Sequence, residues 1–168
     1  MSTACIGLGS NLGQSRTLLH DAWFALAGHP DVTLQALSSP YRTRPIAMES
    51  PHWFINAVGV LQTTLSPEAL LELLLRVEEQ FGRVRSANQE GYQDRTLDLD
   101  LLLFDDLIME TARLTLPHPV MHERLFVLVP LTEAAPRIEH PVLKKTVTEL
   151  LAEQESKVGR EDIEQLCW

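Results

Sequence analysis

Cysteine is scarce in this sequence: Cys5 and Cys167 are the only two in 168 residues, and they lie near opposite ends. That excludes a disulfide framework and suits a reducing compartment, so the fold must rest on a hydrophobic core. Positive charge is also short, with 14 Lys and Arg against 23 Asp and Glu and a formal net charge of −9. A nucleic-acid groove or an anionic membrane calls for a basic surface, so neither is expected as a partner. No apolar run approaches the roughly 18 residues that span a bilayer. The opening MSTACIGLGSN has no cationic stretch of the kind that begins a secretion signal, and the expected location is cytoplasmic. The two common nucleotide-loop fingerprints are missing as well. Gly7, Gly9 and Gly13 spell GxGxxxG rather than GxGxxG, and no GxxxxGK precedes a Ser or Thr.

What remains is an ordinary globular composition, 45% hydrophobic and 22% charged, without repeats. The length predicts one domain over 1–168, with a core at about 3–136 and a C-terminal helical segment at 137–168, and a monomer is the simplest assembly. TACIGL reads as a buried strand entering the turn GSNLG. SRTLLHDAWFALAG then has helical spacing at Leu18, Leu19, Ala22, Trp23 and Leu26. VTLQALSSPYRTRP reads as a strand with Val32, Leu34 and Leu37 inward that ends in a loop set by Pro40, Pro45 and Pro51, and INAVGVLQTTL reads as the next strand. SPEALLELLLRVEEQFG reads as a helix with Ser66 as N-cap, Pro67 at N1 and Gly82 as its stop. TLDLDLLLFDD is the last clear strand, followed by a short apolar helix around LFVLVPLTEAAP and the amphipathic segment KKTVTELLAEQ. The order strand, helix, strand, strand, helix, strand predicts an α+β, ferredoxin-like β-α-β-β-α-β sandwich. Its sheet should be mainly antiparallel and covered by helices, with a helical C-terminal extension. A doubly wound sheet fits less well, because no helix separates the strands at 32–42 and 55–64.

The chemistry centres on RTLDLDLLLF, residues 95–104. On a strand, residues two apart share a face, so Asp98 and Asp100 project together while Leu97, Leu99 and Leu101 face the other way. Paired carboxylates repel each other unless a cation lies between them, and Mg²⁺ suits oxygen donors that leave places for water and phosphate. Spacing alone leaves open an exposed strand face whose aspartates meet solvent. Arg83 and Arg85 in GRVR are again two apart, and Arg95 heads the DxD strand. Arginine forks grip phosphate oxygens, although each arginine taken singly fits a surface ion pair better. Arg42, Arg113, His118 and Arg124 could extend a cationic wall. Ser10 and Asn11 in the glycine turn suit helix capping. Asn56, beside Trp53 and Phe54, offers donors and acceptors to the edge of a planar heterocycle, or to loop backbone.

GLGSNLG, YRTRP, FINAV, GRVR, RTLDLDLLLF and RLTLPHPVMHERLFVLVPL occur in the order found in the 6-hydroxymethyl-7,8-dihydropterin pyrophosphokinases of folate biosynthesis, and the chain resembles that family over about residues 4–136. The resemblance implies transfer of pyrophosphate from MgATP to the hydroxymethyl group of the reduced pterin, with release of AMP. It implies that Asp98 and Asp100 hold two Mg²⁺ ions. Thr43, Asn56 and the backbone around Arg44 and Ile46 match contacts to the pterin edge, and Phe54 and Phe126 match pocket aromatics. Arg83, Arg85, Arg95, Arg113, Thr115, His118 and Arg124 match positions facing ATP or its phosphates, with Glu78 and Leu101 nearer the adenosine. Arg44 stands where a proline is common. The loop before Arg95 lacks a tryptophan found in well-known members and offers Tyr92 as its aromatic. A metal-dependent phosphohydrolase would use the same aspartates and arginines without a pterin. A ferredoxin-like RNA-binding module would need a basic face that the charge does not provide.

Overall fold

The computed structural model describes residues 1–45, 51–83, 94–159 and 162–168. Strand β1 (Ser2–Ser10) leads to helix α1 (Ser15–Leu26), and β2 (Val32–Leu37), β3 (Tyr41–Thr43) and β4 (Phe54–Thr63) follow before α2 (Pro67–Gln80). After β5 (Asp98–Phe104), β6 (Met109–Glu110) and β7 (Thr115–Leu116) form a small hairpin. A 3-10 turn, Met121–Glu123, then leads into α3 (Leu125–Ala134). Strands β8 (Glu139–His140) and β9 (Lys145–Thr146) pair ahead of α4 (Val147–Val158), and β10 (Ile163–Gln165) ends the chain's regular structure.

All pairings in the main sheet are antiparallel. Its order is β10-β3-β4-β1-β5, with β2 on the far half of β4. The β-α-β-β-α-β sandwich is therefore present, and α4 is the helical extension. Three details differ from the sequence reading. Strand β1 runs on through Gly9 to Ser10, so Gly9 lies in the strand rather than the turn. The segment after Pro40 forms a separate strand, β3. Beyond α4 the chain returns to the sheet as β10, the outer neighbour of β3.

Helices α2 and α4 begin at side-chain caps. The hydroxyl of Ser66 accepts from the Ala69 amide at 3.2 Å at the start of α2, and α4 opens on a reciprocal capping box between Thr146 and Glu149. Helices α1 and α2 cover one face of the sheet, where Ile6, Leu8, Trp23, Leu61, Leu74, Leu99 and Leu101 meet in the larger core. Gly59 makes room there: a Cβ on it would lie 2.3 Å from the Trp23 ring. Helix α3 covers part of the other face, over Cys5, Val58, Val60, Leu102 and Leu103. A register irregularity between β1 and β5 at Cys5 and Ile6 lets Leu102 and Leu103 both enter this second core before Phe104 returns to the first. The part of that face left open by α3 is the site.

Candidate active site

Strand alternation supplies the site's floor. Gly7 pairs with Val58 on one side and Asp100 on the other; Gly9 pairs with Asn56 and Asp98. Asn56, Asp98 and Asp100 therefore flank two bare glycines. A methyl group on Gly9 would sit 3.2 Å from Asn56 Oδ1, so the floor is glycine where the amide needs space. Above it opens a cavity, continuous with solvent, whose wall includes Thr43, Arg44, Phe54, Asn56, Arg95, Asp98, Asp100, Arg124 and Phe126. That mix of apolar and polar groups suits a small-molecule substrate.

At one end Asp98 is gripped from both sides, by Arg83 on one carboxylate oxygen and by Arg95 on the other. Arg83 is itself held by Glu78 at 2.7 Å and by the carbonyl of Leu97 at 3.2 Å. Burial works against its charge, but Asp98 and Glu78 outweigh it and keep the guanidinium above its ordinary pKa. Glu78 is 1% exposed and also accepts from the Leu99 amide at 2.7 Å, tying the end of α2 to β5. Asn11 performs a similar task for Arg95. Its Oδ1 accepts from the Arg95 amide at 2.8 Å, its backbone amide donates to the Arg95 carbonyl, and its Nδ2 donates to Asp94 at 2.6 Å.

Asp100 is pushed up to about 7, first by burial, which penalises its charge, and then by repulsion from Asp98, against the pull of Arg124 and Arg95. Like-charged oxygen donors aimed into an open cavity, one of them reluctant to ionise, fit a divalent cation. Such a cation would relieve the repulsion and leave positions for phosphate oxygens and water. Beside them Arg124 lies 5.6 Å from the centre of the Phe126 ring. At the other end Asn56 Nδ2 donates to Thr43 Oγ1 at 2.8 Å, a buried bond that holds the amide plane toward the cavity. Phe54 and Phe126 supply apolar walls.

The remaining residues singled out in the sequence lie farther out. The Leu101 side chain packs into the larger core, and Glu78 is buried behind Arg83. Arg113 pairs with Glu72 at 3.2 Å on the surface, and Thr115 pairs with Glu110 in the small hairpin. His118 binds the Leu102 carbonyl through its backbone amide, and burial followed by the nearby Arg124 lowers its pKa, which keeps the ring neutral. Ile46, Arg85 and Tyr92 fall outside the described residues. Conversely, the sequence reading passed over the glycine floor, Asn11 as the tether of Arg95, and Glu123 in the cavity wall. The floor had a signal: Gly7 and Gly9 have the same two-residue spacing as the aspartates.

A cavity joining an acidic pair, convergent arginines and a planar-ligand wall defines a phosphoryl-transfer site with a heterocyclic acceptor. The model of the 7,8-dihydro-6-hydroxymethylpterin-pyrophosphokinase family matches residues 5–136, and the chain belongs to that family. It is 43% identical over 136 residues to the 2-amino-4-hydroxy-6-hydroxymethyldihydropteridine pyrophosphokinase of Bacillus subtilis, covering 81% of this chain and 80% of that one. It is 41% identical over 151 residues to the enzyme of the same name from Haemophilus influenzae, covering 90% and 92%. Among solved structures, Plasmodium falciparum HPPK-DHPS with pteroate superposes with a TM-score of 0.78 at 14% identity. That match covers 98% of this chain and 47% of that one, and it supports the fold. This chain thus spans about half the length of that solved chain.

Proposed function

We propose that the cavity carries out the family's reaction, transfer of the β,γ-pyrophosphoryl group of ATP to the hydroxymethyl group of 6-hydroxymethyl-7,8-dihydropterin, with the acceptor at the Asn56 end and the phosphates at the Asp98 end. The observation that carries this reading is the shared face: Asn56 and Thr43 on one side of the glycine floor, Asp98 and Asp100 on the other. Asn56 presents an oriented amide to the pterin edge, and Phe54 and Phe126 exclude water from its ring faces. Arg83 and Arg95 stand where phosphate oxygens would replace Asp98 as their partner, and Arg124 adds charge beside them. Asp98 and Asp100 would hold Mg²⁺, two ions in this reading, which supplies charge neutralisation on the polyphosphate. The acceptor hydroxyl attacks the β-phosphorus in line. Among the described residues the floor between the two ends is Gly7 and Gly9, and in this reading alignment and charge stabilisation account for the rate. A monomer in the cytoplasm suffices, and among the described residues no helix is long and apolar enough to cross a membrane.

The test is incubation with ATP, Mg²⁺ and the hydroxymethyl-dihydropterin, followed by separation of nucleotides. AMP formed in step with a pterin diphosphate is the expected result. ADP, or phosphate released without dependence on the pterin, would overturn the proposal in favour of a kinase or phosphohydrolase.

A further inference from the structure

The segment that ends the chain, residues 162–168, lies outside the family match, which stops at 136. It runs antiparallel to 40–43. Ile163, Glu164 and Gln165 pair with Thr43, Arg42 and Tyr41, and the Leu166 amide donates to the Pro40 carbonyl at 2.8 Å. Side chains extend the match at both ends. The Trp168 indole N–H donates to the Ser38 carbonyl at 2.8 Å, and Gln165 Nε2 donates to Ser39 Oγ at 3.0 Å. Glu164 pairs with Arg42 at 2.6 Å and Asp162 with Arg44 at 3.0 Å. Both guanidinium groups stand against Trp53, at 5.0 and 5.3 Å from its ring. Past Leu166, the Cys167 carbonyl accepts from Arg16 at 2.8 Å, which ties the strap to α1.

What this segment braces is the acceptor side of the cavity. Strand β3 has only three residues, yet it carries Thr43, the partner of Asn56, and leads into Arg44; both line the wall. Without β10, one whole edge of β3 would be unpaired, and a three-residue strand with one paired edge frays readily. Each exposed ion pair is weak by itself. Together with the backbone pairing they hold one conformation, and a binding-competent state populated only in part weakens apparent affinity by the same fraction.

Resting on the acceptor-site reading above, we propose that residues 162–168 are a positioning strap that fixes Thr43 and Arg44 for the acceptor substrate and leaves the nucleotide end untouched. The test compares the full chain with a truncation ending at Gly159, with KM for pterin and for ATP measured separately. The expected result is a rise of about tenfold in pterin KM, with ATP KM and kcat within about twofold of the full chain. Pterin KM unchanged, or both KM values moving together, overturns the strap. The full-length double substitution Asp162→Asn, Glu164→Gln keeps the backbone pairing and gives an independent reading if the truncated chain does not fold. About a threefold rise in pterin KM at unchanged melting temperature supports the proposal, and an unchanged KM overturns it. Amide exchange at Tyr41–Thr43 separates this idea from the functional reading. If the full chain does not turn over the pterin, that reading fails, and faster exchange in the double variant still supports the strap while unchanged exchange overturns it.

Discussion

The two faces of β5 have the same backbone and opposite purposes. Leu99 and Leu101 are 3% exposed and belong to the larger core, while Asp98 and Asp100, alternating with them, open onto the cavity. The leucine face is stabilised by burial, about 1.5–3 kcal/mol per side chain. The aspartate face costs stability and is tolerated because arginines neutralise half of it. Asp98 has two guanidinium partners, whereas Asp100 has repulsion and burial and is pushed up to about 7. The comparison teaches that in this strand stability and function are separated by a single pleat.

That separation can be broken by substitution. Asp98→Ala or Asp100→Ala should each lower the rate of AMP formation by about a thousandfold or more with the fold intact, as for loss of a charge-stabilising group. A mutant retaining Mg²⁺-dependent turnover would remove the carboxylates from the reaction. On the opposite pleat, Leu99→Ala should cost about 2–5 kcal/mol in denaturant unfolding, with activity per folded molecule nearly unchanged.

Glycines sharpen the contrast. Gly59→Ala forces a methyl into the Trp23 ring and should destabilise by about 1–3 kcal/mol with little effect on KM. Gly9→Ala would bring a methyl to 3.2 Å from Asn56 Oδ1 and 4.0 Å from Asp98 Cβ. It should leave the melting temperature within a few degrees and raise pterin KM about tenfold, read from initial rates.

A further difference is in pH dependence. Asp100 has a folded pKa raised from 3.8 to about 7, so the folded chain holds that proton more tightly than the unfolded one. Its contribution is fully present below pH 3.8 and is lost as pH rises through about 7. Asp100→Asn removes the titration. In buffer with a chelator it should therefore be the more stable form at pH 8, by on the order of 4 kcal/mol, and the advantage should vanish near pH 4. A constant difference across that range would contradict the shift.

Much of this was legible in the sequence. Period-two alternation separated Leu97, Leu99 and Leu101 from Asp98 and Asp100, and Ser66, Pro67 and Gly82 bounded α2. The missed parts depend on partners distant in the chain. Strand β10 is Ile-Glu-Gln, too short for any period, and is a strand only because β3 offers it an edge. Asn11 could as well have capped a helix, since its real partner, Arg95, is contributed by a different loop. Glu78 did carry a signal. It continues the buried stripe of Leu70, Leu74 and Val77 on α2, where a carboxylate survives only if a cation meets it, and Arg83 does.

The placement of the three tryptophans has an optical consequence. Trp23 is 2% exposed over Gly59, whereas Trp53 lies against Arg42 and Arg44, and Trp168 is hydrogen-bonded at the end of the strap. The unlabelled chain should therefore emit from two populations: a blue-shifted, quencher-resistant one that follows the larger core, and a red-shifted, quenchable one that follows the rim of the acceptor end. Unfolding and acceptor-side rearrangement can thus be told apart by colour in a single cuvette.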